Sequence, residues 1–256
     1  MRRPLPAAFL RLPITHRALH DRAAGRIENS PAAIRAAVTA GYAIEIDVQL
    51  SLDGTAMVFH DDDLDRLTHA TGRVNLRKAD ELAQLALKDS TDTIPTLATV
   101  LHIVAGRVPL LIELKDQTLV LGQSDGALER AVARDLQSYQ GPVAVMSFNP
   151  SMIEHMARLM PDVPRGLTTS SYDYPDWDPV PHATCDRLRE IPDYDRVQAS
   201  FISHQGDDLA RPRVAQIKAA GGDILCWTIR SPEQEAMARQ VAQNVTFEGY
   251  LSPLPA

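Results

Sequence analysis

Eight stretches of strand character alternate with about seven helical ones along the chain, and this alternation predicts an α/β protein closed as a (β/α)8, or TIM, barrel. The length, 256 residues, suits one such barrel. No break in composition marks a boundary, so residues 1–256 read as a single domain. A doubly wound open sheet is the alternative, but no glycine-rich phosphate loop follows the first strand, which weakens its nucleotide-binding version.

The elements follow from local pattern. Leu10 to Thr15 reads as the first strand, ending in His16-Arg17. After a polar loop, Asn29 is placed to cap a helix with Pro31 in its first turn, which runs through Ala-rich sequence to Gly41. Ile44, Ile46 and Val48 then alternate with Glu45, Asp47 and Gln49, the period of a strand. Glu45 and Asp47 therefore share a face, about 7 Å apart. Asp53-Gly54 is a hairpin turn, and Met57-Val58-Phe59 returns to deliver His60 and Asp61. Residues 61–95 are a longer polar connection with one short helix, and Thr96 to Gly106 is amphipathic and helical. Val108 to Leu114 is a near-continuous apolar run, a buried parallel strand, carrying Glu113 and then Lys115 at its end. The rest repeats the unit: helix 125–139, strand 143–146, helix 150–160, strand 165–168, a weak helix near 183–190, strand 197–202, helix 212–220, strand 223–229, helix 232–241 and strand 245–250.

Composition narrows the function. The net charge is −7, and Lys and Arg are scattered, which argues against a nucleic-acid partner. Two cysteines in unrelated contexts fit a reducing compartment. The N-terminal stretch lacks a long apolar core, so it is not read as a signal peptide, and no run approaches transmembrane length. A soluble cytoplasmic protein of undefined oligomeric state is expected.

The unusual polar residues gather where strands end. His16 and Arg17 follow the first, Glu45 and Asp47 lie in the second with His60 on its hairpin, and Glu113 and Lys115 close the third. In a parallel barrel the strand C-termini share one rim, and sites are built there. Three carboxylates with no cysteine and no close histidine pair favour a hard divalent cation, Mg²⁺ or Ca²⁺. Arg17 and Lys115 supply fixed positive charge for a phosphate, and two histidines can divide acid and base roles across a phosphate ester. Together these describe a metal-assisted phosphodiesterase.

These residues resemble the signature of the glycerophosphodiester phosphodiesterase family. Its His-Arg-Gly and Glu-Asn-Thr are here His16-Arg17-Ala18 and Glu28-Asn29-Ser30. Its Glu-x-Asp, Asp-Gly and His-Asp are Glu45-Ile46-Asp47, Asp53-Gly54 and His60-Asp61. Leu64-Asp65-Arg66-Leu67-Thr68, Gly72, Ile94-Pro95-Thr96-Leu97, Ile112-Glu113-Leu114-Lys115, Ser147-Phe148 and Trp227-Thr228 are similar to later blocks. The resemblance spans the chain and is dense over residues 14–115. It implies a TIM barrel, His16 and His60 as the acid/base pair, Glu45, Asp47 and Glu113 as ligands of a divalent cation, and Arg17 and Lys115 as phosphate contacts. The implied substrate is a small glycerophosphodiester, split into glycerol phosphate and an alcohol. Ala18 departs from the family glycine, which a negative φ would accommodate and a positive φ would not without a shift of the loop.

Other features divide between function and packing. Trp227 is evenly balanced between substrate contact and core, and Glu28 is placed in support of the site, behind the contact residues. The acidic run from Asp61 to Asp65 lacks the calcium-loop pattern and reads as a solvated turn. The remaining histidines read as structural or solvated. The loop 169–181, with Tyr172, Tyr174 and Trp177, reads as a packed surface loop in preference to an aromatic lid. A lipid-directed, phospholipase D-like relative and a non-catalytic phosphate-binding barrel are the alternative functions.

Overall fold

A computed structural model describes residues 2–255. The chain begins with a short helix, α1 (Ala7–Arg11), before β1 (Ile14–Thr15). It continues with α2 (Pro31–Ala40), the hairpin β2 (Ala43–Leu50) and β3 (Ala56–Val58), α3 (Ala79–Leu82) and α4 (Leu97–Val104). Four strands then alternate with helices: β4 (Leu110–Leu114), α5 (Ala127–Leu136), β5 (Val143–Ser147), α6 (Pro150–Leu159), β6 (Arg165–Thr169), α7 (His182–Arg189) and β7 (Phe201–Gln205). The chain closes with α8 (Pro212–Ala219), β8 (Asp223–Ile229), α9 (Pro232–Ala238) and β9 (Asn244–Phe247).

Strands pair in the order β1-β9-β8-β7-β6-β5-β4-β2, and β1 returns to β2, so eight parallel strands close a barrel. β3 is the ninth strand, antiparallel on β2. The predicted TIM barrel is the fold observed. Alternation along each strand sorts side chains inward or outward. Ile44, Ile46 and Val48 of β2 point out to the helix layer, and their neighbours Glu45 and Asp47 point in.

The barrel floor is apolar. Ala43, Leu111, Ala144, Phe201 and Leu225 fill one layer, and Leu5 and Phe9 plug it from below. Asn244 ties the plug down, donating to the carbonyls of Phe9 and Leu12, both at 2.7 Å.

Several boundaries differ from expectation. Leu10 and Arg11 belong to α1, because Pro6 and Pro13 bracket a single helical turn that carries Phe9 into the core. β7 begins at Phe201 and not Val197, since Val197 and Ala199 are buried under a turn in which Gln198 takes φ +53. Apolar character alone does not separate a buried turn from a strand. The cap of α2 is Ser30, whose hydroxyl accepts from the Ala33 amide at 3.2 Å, and this releases Asn29 for another task. Among the described residues no helix is long and apolar enough to cross a membrane. Cys185 and Cys226 are buried and unbridged.

Gly166 in β6 sits where a Cβ would lie 2.3 Å from the Phe201 ring. Gly166→Ala is expected to cost about 1–3 kcal/mol of stability. Adding Phe201→Leu should recover part of that loss in urea unfolding, and a neutral Gly166→Ala would show that the floor is not close-packed.

Candidate active site

The side chains singled out in the sequence meet in one cleft of about 170 Å³ at the C-terminal mouth of the barrel. It is lined by His16, Arg17, Glu45, Asp47, His60, Glu113, Lys115 and Trp227, among others. Glu28 stands behind Arg17, accepting from its guanidinium at 2.8 Å.

At the base, Glu45, Asp47 and Glu113 place carboxylate oxygens within 4.8 Å of one another, and all three residues are buried, at 2%, 2% and 6% exposure. Adjacent strands hold them in register, Asp47 on β2 opposite Glu113 on β4. Asp47 accepts from the Asn29 amide at 2.9 Å, and Glu45 from the backbone N–H of Arg17 at 2.9 Å. Lys115 donates to Glu113 at 3.0 Å and lies 3.5 Å from Asp47. Thr168 reaches Glu113 from across the barrel at 3.4 Å.

Three carboxylates face two fixed cations, so negative charge is left over. Burial first, and then Asp47 and Glu113, push the Glu45 carboxyl well above its ordinary range. Burial opposes the ionisation of Asp47 too, but His60, Lys115 and Arg17 outweigh it and hold Asp47 well below the usual range. Burial likewise opposes the charge on Lys115, and Glu113 and Asp47 reverse that and raise it. Among carboxylates this close, a proton on Glu45 relieves the repulsion, and a divalent cation relieves it more completely. An all-oxygen donor set suits a hard cation such as Mg²⁺ or Ca²⁺.

Each histidine is oriented through one nitrogen. His16 Nδ1 is 2.6 Å from Glu248, and His60 Nδ1 is 2.7 Å from Asp61. A carboxylate at Nδ1 accepts the N–H there and keeps the ring proton on that atom, which leaves Nε2 as the free nitrogen. Burial lowers the His16 pKa, and the Glu248 hydrogen bond opposes it. Asp61 is gripped by Arg66 at 2.6 and 2.8 Å, and Arg66 also binds Glu28 at 2.7 and 2.8 Å. An unbroken ionic chain thus runs from His60 through Asp61, Arg66 and Glu28 to Arg17. Arg17 Nε is buried without a hydrogen-bond acceptor, and Asp47 Oδ2 stands 3.6 Å from it. Such an N–H is available to a phosphate oxygen.

The structure adds residues that sequence reasoning passed over. Asp61 is not a solvated turn residue, since it holds His60. Asn29 is an Asp47 partner and not a helix cap. Glu248, from the loop after β9, joins His16, the Arg230 guanidinium at 2.8 Å and His20 at 3.4 Å. His16, His20 and Glu248 place donor atoms within 4.8 Å of one another, a neighbourhood that spacing in the sequence hides. Of these, only Asn29 and Asp61, which lie within the motifs, carried a local signal. Trp227 is half-buried at the cleft, with Nε1 donating to the Ser203 carbonyl at 2.9 Å. Arg17, Ala18 and Asn29 all take positive φ, +51, +66 and +59. Ala18 keeps this left-handed form despite its Cβ, held by its N–H to the Glu45 carbonyl at 3.0 Å.

A group whose folded pKa is raised contributes stability that is complete below its unfolded value and is lost as pH rises through the folded one. For Glu45 that ordinary value is 4.5. With EDTA present, Tm is expected to fall as pH rises above about 5, and Glu45→Gln to remove most of that slope. Mg²⁺ or Ca²⁺ at about 100 times its Kd should add about 2.7 kcal/mol to the wild type and far less to the variant. An equal slope in both proteins would show that Glu45 does not carry the excess charge.

Comparison with known proteins gives the family of the chain. The sequence profile of the Glycerophosphoryl diester phosphodiesterase family matches residues 16–246. YhdW of Bacillus subtilis strain 168, provisionally named a glycerophosphodiester phosphodiesterase, is 27% identical over 220 residues, 83% of this chain and 82% of that one. A glycerophosphodiester phosphodiesterase of Caldanaerobacter subterraneus subsp. tengcongensis is 29% identical over 148 residues, 55% of this chain and 60% of its own. Among solved structures, an Oleispira antarctica phosphodiesterase in complex with the product sn-glycerol-3-phosphate superimposes with a TM-score of 0.73 at 26% identity, covering 93% of each chain. With a match over nearly its whole length, the chain belongs to the glycerophosphoryl diester phosphodiesterase family.

Proposed function

We propose that this protein hydrolyses glycerophosphodiesters to glycerol phosphate and an alcohol, with a bound divalent cation and His16 and His60 as the acid/base pair, and that residues 1–256 form one catalytic domain. The observation that carries this is the convergence of three buried carboxylates, two carboxylate-oriented histidines and two cations on one cleft. The Oleispira relative, solved with glycerol phosphate as its product, supports the same product here.

Glu45, Asp47 and Glu113 are the residues that would hold the cation, Mg²⁺ or Ca²⁺. Bound there, it supplies Lewis-acid stabilisation of charge developing on phosphoryl and hydroxyl oxygens. The chain's own groups do the rest. Arg17 and Lys115 bind the non-bridging phosphate oxygens and neutralise charge as the new P–O bond forms and the old one breaks. One imidazole, neutral with Nε2 free, takes the proton of the attacking water or glycerol hydroxyl at that atom; the other, entering as an imidazolium, gives its Nε2 proton to the departing alkoxide, and where the glycerol hydroxyl attacks, water then opens the cyclic phosphate. Glu248 and Asp61 fix the tautomer of each ring, and Glu28 steadies Arg17. Trp227 offers an apolar face beside the cleft for the carbon skeleton of the substrate.

Release of glycerol phosphate from a set of glycerophosphodiesters, with EDTA and with Mg²⁺, Ca²⁺ or Mn²⁺ restored, tests this directly. Activity should require the cation and fall by about 10²-fold or more in His16→Ala and in His60→Ala. Folded wild-type protein that releases nothing with any cation would overturn the reading.

Glu248→Gln keeps a side chain of the same shape but loses the charge that holds His16 Nδ1–H. It is expected to lower kcat by up to about 10²-fold with little change in KM. A loss confined to KM would instead place Glu248 in substrate binding.

A further inference from the structure

A second cavity, of about 420 Å³, opens beside the cleft. The two share His60, Glu113, Lys115, Phe148 and Trp227, whereas His16 and Arg17 line the cleft alone. A diester with its phosphate near Lys115 can therefore extend one of its two alcohol halves into this space.

The walls are of two kinds. Phe148 stands between Trp177 and Trp227, with ring centroids 4.8 and 5.5 Å away and both contacts edge-to-face. Trp227 is pinned by its bond to the Ser203 carbonyl. Trp177 belongs to the loop expected to be mere packing, and that loop is firmly held. Tyr172 is buried at its root, and Arg189 of α7 donates to the carbonyls of Ser171 and Tyr172 at 2.6 and 2.8 Å. The other wall is acidic. Asp62, Asp176 and Asp178 line the cavity, are exposed, and have no ion-pair partner among the described residues. Lys115, also on the wall, is already engaged by Glu113 and Asp47.

Aromatic rings attract a weakly hydrated cation, and carboxylates without counter-ions add a favourable field. A neutral alcohol gains neither effect, and an anionic one is repelled. We propose that this cavity receives the alcohol half of the substrate and selects diesters whose alcohol carries a quaternary or protonated amine. The proposal rests on the phosphodiesterase reading above and adds to it the chemistry of the alcohol.

The test compares kcat/KM for glycerophosphocholine with that for its neutral isostere, in which a 3,3-dimethylbutyl group replaces choline. The two differ in charge and hardly in shape. The wild type should prefer the cation by about tenfold or more. The double variant Asp176→Asn, Asp178→Asn should bring the two within about threefold by slowing the cationic diester alone. Trp177→Leu should also narrow the ratio. Equal rates on both diesters in the wild type, or a ratio unchanged in the variants, would overturn the proposal and leave the phosphodiesterase reading intact. Hydrolysis of neither diester would overturn that reading instead. Calorimetric binding of the two diesters to the His16→Ala protein with Mg²⁺ would then decide the selectivity by itself, tighter binding of the cation supporting it and equal binding overturning it.

Discussion

Three carboxylates held out of water inside a parallel barrel are the constraint to which the rest of the site answers. Leaving a single carboxylate buried and unpaired costs several kcal/mol, and Glu45, Asp47 and Glu113 are stacked on adjacent strands. Every neighbouring feature offsets part of that cost. Lys115 and Arg17 bring positive charge, Asn29 and Thr168 bring hydrogen-bond donors, and the backbone of Arg17 turns its N–H onto Glu45. What these groups leave uncompensated is negative, and that residue of charge is what a bound divalent cation would neutralise. The apolar floor built by Phe9, Phe201 and Leu225 matters in the same way, because it keeps water from approaching the carboxylates from below.

The backbone bears part of the load. Three residues of the connection between β1 and α2, Arg17, Ala18 and Asn29, sit in the left-handed region. For non-glycine residues this costs roughly 1–2 kcal/mol each, and each conformation is locked by what it delivers. Arg17 and Ala18 present successive N–H groups to Glu45, and Asn29 turns its amide to Asp47. Strain of this kind concentrates where geometry has to be held against the chain's own preference.

Around the carboxylates lies a ring of alternating charge that orients both histidines. On one side it runs from Arg17 through Glu28, Arg66 and Asp61 to His60. On the other, Glu248 links His16 to Arg230. Only about half of this ring was legible in advance. Glu28 and the two histidines stood out through their motifs. Asp61 was misjudged because an acidic run of this composition is more often solvated. Glu248 gave no signal, because it lies 232 positions from His16 and meets it only when β9 closes against β1. The error at Asn29 is of the same origin. Asparagine before a proline-led helix is a good cap by local rules, and Ser30 next to it is equally good, so only the neighbourhood of Asp47 decides between them.

Period-two alternation in 43–50 and the near-continuous apolar runs of the later strands determined the strand-helix repeat, because each strand must bury its own outward or inward face whatever its partners. The ordered polar residues at strand ends likewise determined which side chains meet at the mouth, since parallel strands bring their C-termini to one rim. The tertiary structure alone decided how charge is distributed among them, which nitrogen of each histidine is free, and how Trp177 and its neighbouring aspartates come to face Phe148 and Trp227. These depend on contacts between segments tens to hundreds of residues apart, and no local pattern encodes a distance across a closed barrel.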